Sequence, residues 1–414
     1  MGIVAEYNPF HNGHLYHIRK SIEETSANYV VCVISGNFVQ RGNTSIIDKW
    51  TKAKMAISQG ADLVIELPTV YSTSSAENFA EGAIKILDSL GIVDTISFGI
   101  EANDLSTLNN IANVLYQEPK EYVTMLNHEL SKGISFPKAR ENALMMYLND
   151  IKRYANVLSG SNNILAIEYL KAIKKLKSPL KPIGIRREKV LYNDEIIIDD
   201  FASATAIRKM ISNRQFDDII KVMPRSTYIL MAQEIRNGHY VLDLSKFQKE
   251  IIYILRKMTI EEIKNLPDVS EGLENAIKNA ANSCNNIIDL VNIIKSKRYT
   301  QTRIQRILIY ALLGINKSMM ETSQKIVPYT RILGYSEKGK GLISEIMNKN
   351  PKLNLVTSVK EFLDTNKNKN LKEMLNSDIY ATNVYTLGYE KDSWSNLDYT
   401  NKIVTISDLK GVKK

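Results

Sequence analysis

Cysteine is scarce: Cys32 and Cys284 are the only two in 414 residues, and they stand far apart. Cys32 lies inside an apolar, strand-like run and reads as core rather than ligand, so a reducing cytoplasm is the expected location. No segment approaches the apolar length of a membrane span, which argues against a membrane protein. The N-terminus has no basic, apolar, small-residue succession of a signal peptide, and Glu6 stands where a myristoylation signal needs Ser or Thr. Internal repeats and low-complexity stretches are missing too. What remains is an ordinary globular balance of 44% hydrophobic and 24% charged residues.

A chain of this length exceeds one usual hydrophobic core, so two domains are expected. The net charge of +9 points to nucleic acid as a partner, although a generally lysine-rich composition gives the same excess. In the first half, β-branched runs at Gly2–Glu6, Tyr29–Ser35, Asp62–Leu67 and Thr95–Gly99 alternate with helical patterns at Gly13–Glu24, Asp48–Gln59 and Ser75–Leu90. That alternation predicts an α/β fold with a Rossmann-like, doubly wound parallel sheet. Leu105–Lys175 reads as mainly helical, Lys181–Arg187 as a further strand and Ala204–Ser212 as a helix. Beyond about residue 215 the strand signals fade and helices dominate, notably Leu244–Lys257, Ser270–Lys295 and Tyr299–Leu313, with a less regular tail from Ser377. The expected division is residues 1–215, a Rossmann-like α/β domain, and 216–414, a mainly α-helical domain.

The segment Glu6-Tyr7-Asn8-Pro9-Phe10-His11-Asn12-Gly13-His14 follows the first strand and opens the first helix. An α/β sheet presents helix N-terminal N–H groups to phosphate at that place. Gly13 permits close approach of the backbone, while His11 and His14, three apart, share a face and can donate hydrogen bonds. Such a site suits adenylyl transfer, in which ATP is positioned and charge on the phosphates is stabilised without an attacking side chain. A zinc site lacks the neighbouring Cys, or the zincin Glu, that the pair would need, so no metal ligand is assigned.

A second loop is expected to close on the phosphates. Ser203-Ala204-Thr205-Ala206-Ile207-Arg208-Lys209 fits, with Ser203 or Thr205 capping a helix and Arg208 or Lys209 neutralising pyrophosphate. Ser35-Gly36-Asn37-Phe38-Val39-Gln40-Arg41-Gly42 follows the second strand at the same sheet edge, where Arg41 and Lys49 are further candidates for triphosphate or an acidic substrate. Gly99, at the end of the fourth strand, would let adenine or ribose lie against the backbone. Ser159-Gly160-Ser161-Asn162-Asn163 reads first as a helix N-cap, and Arg186 and Arg187 end a strand near the same edge.

These segments, in this order, resemble the bacterial tRNA(Met) cytidine acetate ligase family, a branch of the HIGH-type nucleotidyltransferases. The resemblance runs through Asp62-Leu-Val-Ile-Glu-Leu-Pro68, Phe98-Gly-Ile-Glu101 and Asn163-Ile-Leu-Ala-Ile-Glu-Tyr-Leu170, with a shorter echo at Lys297-Arg298-Tyr299-Thr300. It departs from the family pattern over Arg186–Asn193 and at Gly42–Ser45. The resemblance implies an ATP-dependent ligase that forms acetyl-adenylate from acetate and passes the acetyl group to N4 of the wobble cytidine of elongator tRNA(Met). It implies an ATP site on Tyr7 to Lys20, Gly99, Asn162 and Arg187, with Mg²⁺ arriving on ATP.

Between Val291 and Lys317 there is no acidic residue, while Lys295, Lys297, Arg298, Arg303 and Arg306 surround Tyr299. A helix starting near Tyr299 would bury Ile304, Ile307, Leu308 and Ala311 and leave Arg303 and Arg306 outward. The expectation is a basic stripe for RNA phosphates, with an aromatic to stack on an unpaired base. A solvated charged face is the plainer reading of such a run. Two rivals share part of the pattern: a small-molecule adenylyltransferase, which has no use for the basic helical half, and a non-catalytic RNA-binding relative.

Overall fold

The computed structural model describes the chain except residues 103, 151–153, 155, 156, 159, 187–200, 271 and 410–414. Its centre is a seven-stranded sheet. Five strands are parallel: β1 (Gly2–Ala5), β2 (Val31–Ser35), β5 (Leu63–Leu67), β6 (Thr95–Ile100) and β7 (Lys181–Arg186). The short β3 (Phe38–Val39) and β4 (Asn43–Thr44) form a separate antiparallel ribbon after β2. The spatial order β7-β6-β1-β2-β5 reverses direction between β1 and β6, so a crevice opens at the carboxyl ends of those two strands.

Alternation along the strands splits the core into two layers. Val31, Val33, Leu63, Ile65, Leu67, Ile96, Phe98 and Ile100 face one layer, and Ile3, Cys32, Ile34 and Val64 face the other. Both faces are covered, as parallel sheets require. Helix α4 (Ala76–Ser89), following the single turn α3 (Thr69–Ser72), covers the first face with the Ser161–Leu176 helix. Helices α1 (Asn12–Thr25) and α2 (Lys49–Ser58) cover the second.

The sheet draws on the chain beyond residue 215, which the fading strand signals did not foretell. β8 (Thr330–Tyr335) pairs antiparallel with β5, and β9 (Leu355–Val356) joins β8 in parallel. Arg331 hides this strand from a hydrophobic pattern: it is buried, and its charge is met by Glu66 and Asp398. Packing also runs across residue 215 without a break, because Ile207, Met210, Ile219 and Met231 share the second layer with Ala53 and Ile57 of α2. The expected helix over Ser270–Lys295 is two helices, Leu273–Ser283 and Ile287–Ile294. Asn286 separates them by capping the second, its side chain accepting from the Asp289 N–H. Nor is the tail irregular at Ser377, where a helix spans Lys369–Thr386.

Several cations of the helical half serve as C-caps. The Arg256 guanidinium donates to the carbonyls of Ala281 and Cys284, Lys278 to those of Leu255, Arg256 and Met258, and Lys317 to those of Lys264 and Val269. Part of the positive excess thus satisfies helix ends.

Candidate active site

The chain leaves β1 through Tyr7, whose φ of 48° is left-handed, and a cis Asn8–Pro9 peptide, and enters α1 with His11 as N-cap. The His11 Nδ1 accepts the Gly13 N–H at 3.0 Å, and the His14 Nδ1 accepts the His11 N–H at 3.2 Å. The two imidazoles therefore form a capping box, a task usually given to Ser or Thr with Glu. An Nδ1 that accepts carries no proton, so each neutral ring holds its hydrogen on Nε2 and presents that nitrogen as a donor. The rings stack at 3.8 Å between centroids, and Tyr7 and Phe10 hold His14 at 4.9 and 5.4 Å. Tyr7, Asn8, Pro9, Phe10 and His11 are buried, while Asn12, Gly13 and His14 are half-buried.

Asn8 spends its amide on the loop after β2: its Nδ2 donates to the Thr44 carbonyl and its Oδ1 accepts the Ile46 N–H. Its carbonyl accepts from Arg208 at 2.8 Å, and the same guanidinium donates to Thr205 Oγ1 at 3.1 Å. Ser203 Oγ accepts the Ala206 N–H and so caps the Ala204–Ser212 helix. The second loop thus closes onto the first motif, and Asn12 strengthens the closure by donating to the Lys221 carbonyl.

Across the crevice, Gly99 lies in β6 in register with Ile185 of β7, and Arg186 is exposed at the end of β7. The Glu101 carboxylate accepts the N–H groups of Asn162 and Asn163 and the Asn162 side-chain amide, while Asn163 Oδ1 accepts the N–H groups of Glu101 and Ala102. This clamp fixes the start of the Ser161–Leu176 helix beside β6, and Gly160 leaves room for it: an added Cβ would lie 2.2 Å from Glu101 Oε2. Arg187 lies outside the described residues.

A family model described as HIGH Nucleotidyl Transferase matches residues 1–399. A protein of Caldanaerobacter subterraneus subsp. tengcongensis named tRNA(Met) cytidine acetate ligase is 44% identical over 98% of this chain and 99% of its own length. The protein of that name from Acetivibrio thermocellus is 42% identical over the same shares. The chain belongs to the tRNA(Met) cytidine acetate ligase family. Crystal structures of Thermotoga maritima TmcAL, apo and bound with alpha-thio ATP, superpose with TM-scores of 0.93 and 0.91 at 33% identity, each over 98% of both chains.

The remaining candidate cations of the first half stand differently. Lys20 pairs with Glu23 and Glu24 on α1, two contacts that raise its pKa. Arg41 is half-exposed in the β3–β4 turn. Lys49 is fully buried and is bound by Glu66 and Asp398, which also hold Arg331. It is therefore a structural cation, and the candidacy for triphosphate lapses. Burial alone would raise the Asp398 pKa, but Lys49 and Arg331 outweigh it and bring it to about 2.

In the basic segment, Lys295, Lys297 and Arg298 are exposed, and Ile304, Ile307, Leu308 and Ala311 are buried as expected. Arg306 does not point outward. Its side chain is 12% exposed and its guanidinium binds Asp268 at 2.8–2.9 Å. Arg303 is half-buried, donating to the Asp268 carbonyl and Ser270 Oγ while its guanidinium lies 5.3 Å over the Tyr299 ring.

Sequence reasoning missed Lys52. Its buried ammonium donates to the carbonyls of Glu6, Ser35 and Gly36 at 3.1, 2.8 and 2.7 Å, tying together the ends of β1 and β2. Burial draws its pKa down to about 7, against the pull of Glu6 and Glu66. A charged residue inside an otherwise apolar helix face was the available signal. Glu66, within Leu63–Leu67, was another.

Proposed function

We propose that the chain joins acetate to ATP, releasing pyrophosphate, and then transfers the acetyl group from acetyl-adenylate to N4 of the wobble cytidine of elongator tRNA(Met), releasing AMP. The observation that carries this reading is the histidine pair at the start of α1, with both Nδ1 atoms tied to backbone N–H groups, in a chain spanning nearly all of relatives bearing the ligase name. The Nε2 donors and the positive end of α1 favour phosphate oxygens at the crevice between β1 and β6. Donors fixed before the reaction stabilise charge that grows on the leaving pyrophosphate, and each is worth about 100- to 1000-fold in rate by analogy with oxyanion-hole donors.

In this proposal Arg208, Thr205 and Ser203 hold the second loop against the motif, Gly99 and Asn162 border the adenosine, and Arg186 is the candidate for phosphate together with Arg187, which lies outside the described residues. Residues 1–215 carry the adenylation chemistry. Residues 216–414 add the tRNA surface through Lys295, Lys297 and Arg298, with Arg303 set beside the Tyr299 ring. Mg²⁺ would enter with ATP, on its phosphate oxygens. No helix among the described residues is long and apolar enough to cross a membrane, and the buried free thiols Cys32 and Cys284 suit the cytoplasm.

ATP–pyrophosphate exchange tests the proposal. Exchange that depends on acetate supports it. Exchange driven by a nucleotide or phosphopantetheine-like acceptor would mean a small-molecule adenylyltransferase, and no exchange with retained RNA affinity would mean a non-catalytic relative.

A further inference from the structure

The Tyr169 hydroxyl is buried and makes no hydrogen bond to any described residue. A buried phenol without a partner is costly, and native proteins retain one mainly where something else binds it. Its position says what that is. Tyr169 belongs to the helix clamped by Glu101, and its ring packs on Phe98 of β6 at 5.4 Å. Its phenol pKa is raised well above the ordinary value by burial first and by the nearby Glu6 carboxylate second. Tyr169 therefore lies against β6, one of the two strands that border the crevice.

Ser35 supplies a second orphan. The last register pair of β1 and β2 is Ala5 with Ile34, so Ser35 follows beside Glu6 on the next strand. Its Oγ is buried and also has no partner among the described residues. Alternation with Val31 and Val33 places it on the first face of the sheet, the layer to which Tyr169 belongs. Helix α1, with His11 and His14, covers the second face. Adenylyl transfer proceeds in line, so the attacking oxygen enters opposite the leaving pyrophosphate. With the histidines holding pyrophosphate on one face, the nucleophile comes from the other.

We propose that the carboxylate of acetate binds at the ends of β1, β2 and β6 on the face opposite α1, accepting hydrogen bonds from the Tyr169 and Ser35 hydroxyls. The assignment rests on the acetate-activating reading above and supplies it with a second-substrate site. One acetate oxygen attacks the α-phosphorus, its bond forms as the bond to the bridging oxygen of pyrophosphate breaks, and no proton moves. The Glu6 carboxylate borders the same place. Its charge is offset by the Gln40 N–H, which it accepts at 2.9 Å, and by the Lys52 ammonium bound to the Glu6, Ser35 and Gly36 carbonyls.

Steady-state ATP–pyrophosphate exchange with acetate as the varied substrate separates this site from the ATP site. Tyr169→Phe is expected to raise the KM for acetate by about 10- to 100-fold, the loss of a hydrogen bond to an anion. The KM for ATP should stay within about twofold of wild type. Ser35→Ala is expected to give a smaller rise in the same constant, and it provides the readout if Tyr169→Phe does not fold. An unchanged acetate KM in the folded variants, or acetate and ATP constants rising together, overturns the site. A wild-type protein whose exchange ignores acetate would instead defeat the function proposed above, which the wild-type control reveals before any variant is compared.

Discussion

Replacing Lys295, Lys297 and Arg298 together by Glu perturbs the RNA surface without disturbing the core, because all three side chains are exposed. If each meets one phosphate of a single-stranded anticodon loop, each contributes about 0.7 to the slope of log K against log salt, so the slope falls by about 2. Near 0.15 M salt those three contacts amount to roughly 50-fold in tRNA affinity before any added repulsion. Fluorescence anisotropy with labelled tRNA over about 0.05 to 0.3 M salt measures both quantities. Acetate-dependent exchange should be unchanged. Arg306→Ala is the contrast: it leaves Asp268 without the partner that holds it, at about 2–3 kcal/mol, less than a fully buried pair because Asp268 is 28% exposed. It should lower the melting temperature more than it weakens tRNA binding. A triple variant with wild-type affinity and salt slope would refute the assignment of this surface to RNA.

His14→Ala should reduce exchange by about 100- to 1000-fold and, through loss of the cap on the His11 N–H, lower stability by about 1 kcal/mol; tRNA affinity measured by anisotropy should hold. Lys49→Met should destabilise the protein by about 3–5 kcal/mol in denaturant titration, since Glu66 and Asp398 would share Arg331 alone. Glu234 has its pKa raised to about 7 by burial, reinforced by Asp48 and opposed by Lys54 and Thr51. The folded state then binds more protons than the unfolded one between about pH 4.3 and 7, so this group's contribution falls as pH rises through that window. Denaturant titrations at several pH values should show the stability of Glu234→Gln gaining on wild type from pH 5 to 8, and a constant difference would contradict the shift.

The sheet and its motif were legible because strand, turn and helix signals coincide at residues 2–25, where a short apolar run leads directly into Asn, Pro, Gly and His. The roles inside the site were less so. His11 and His14 read as donors, yet the folded arrangement makes their Nδ1 atoms acceptors that build the cap. Arg306 and Lys49 looked like site cations because their partners, Asp268 and Asp398, lie far off in sequence or belong to a tail read as irregular. β8 escaped notice for the same reason: Arg331 breaks its apolar pattern until Glu66 and Asp398 are placed around it. Tyr169 lies within the segment that resembles the ligase family, but a tyrosine on an amphipathic helix is ordinarily core, and its hydroxyl stands out only once the described residues are seen to offer it no partner.

The central claim is tested most directly by incubating the purified protein with ATP, radiolabelled acetate and unmodified elongator tRNA(Met), then locating the label by nuclease digestion and nucleoside analysis. The account predicts N4-acetylcytidine at the wobble position, with one AMP and one pyrophosphate formed for each acetyl group transferred. Unlabelled tRNA, or label that enters without consumption of ATP, would contradict it.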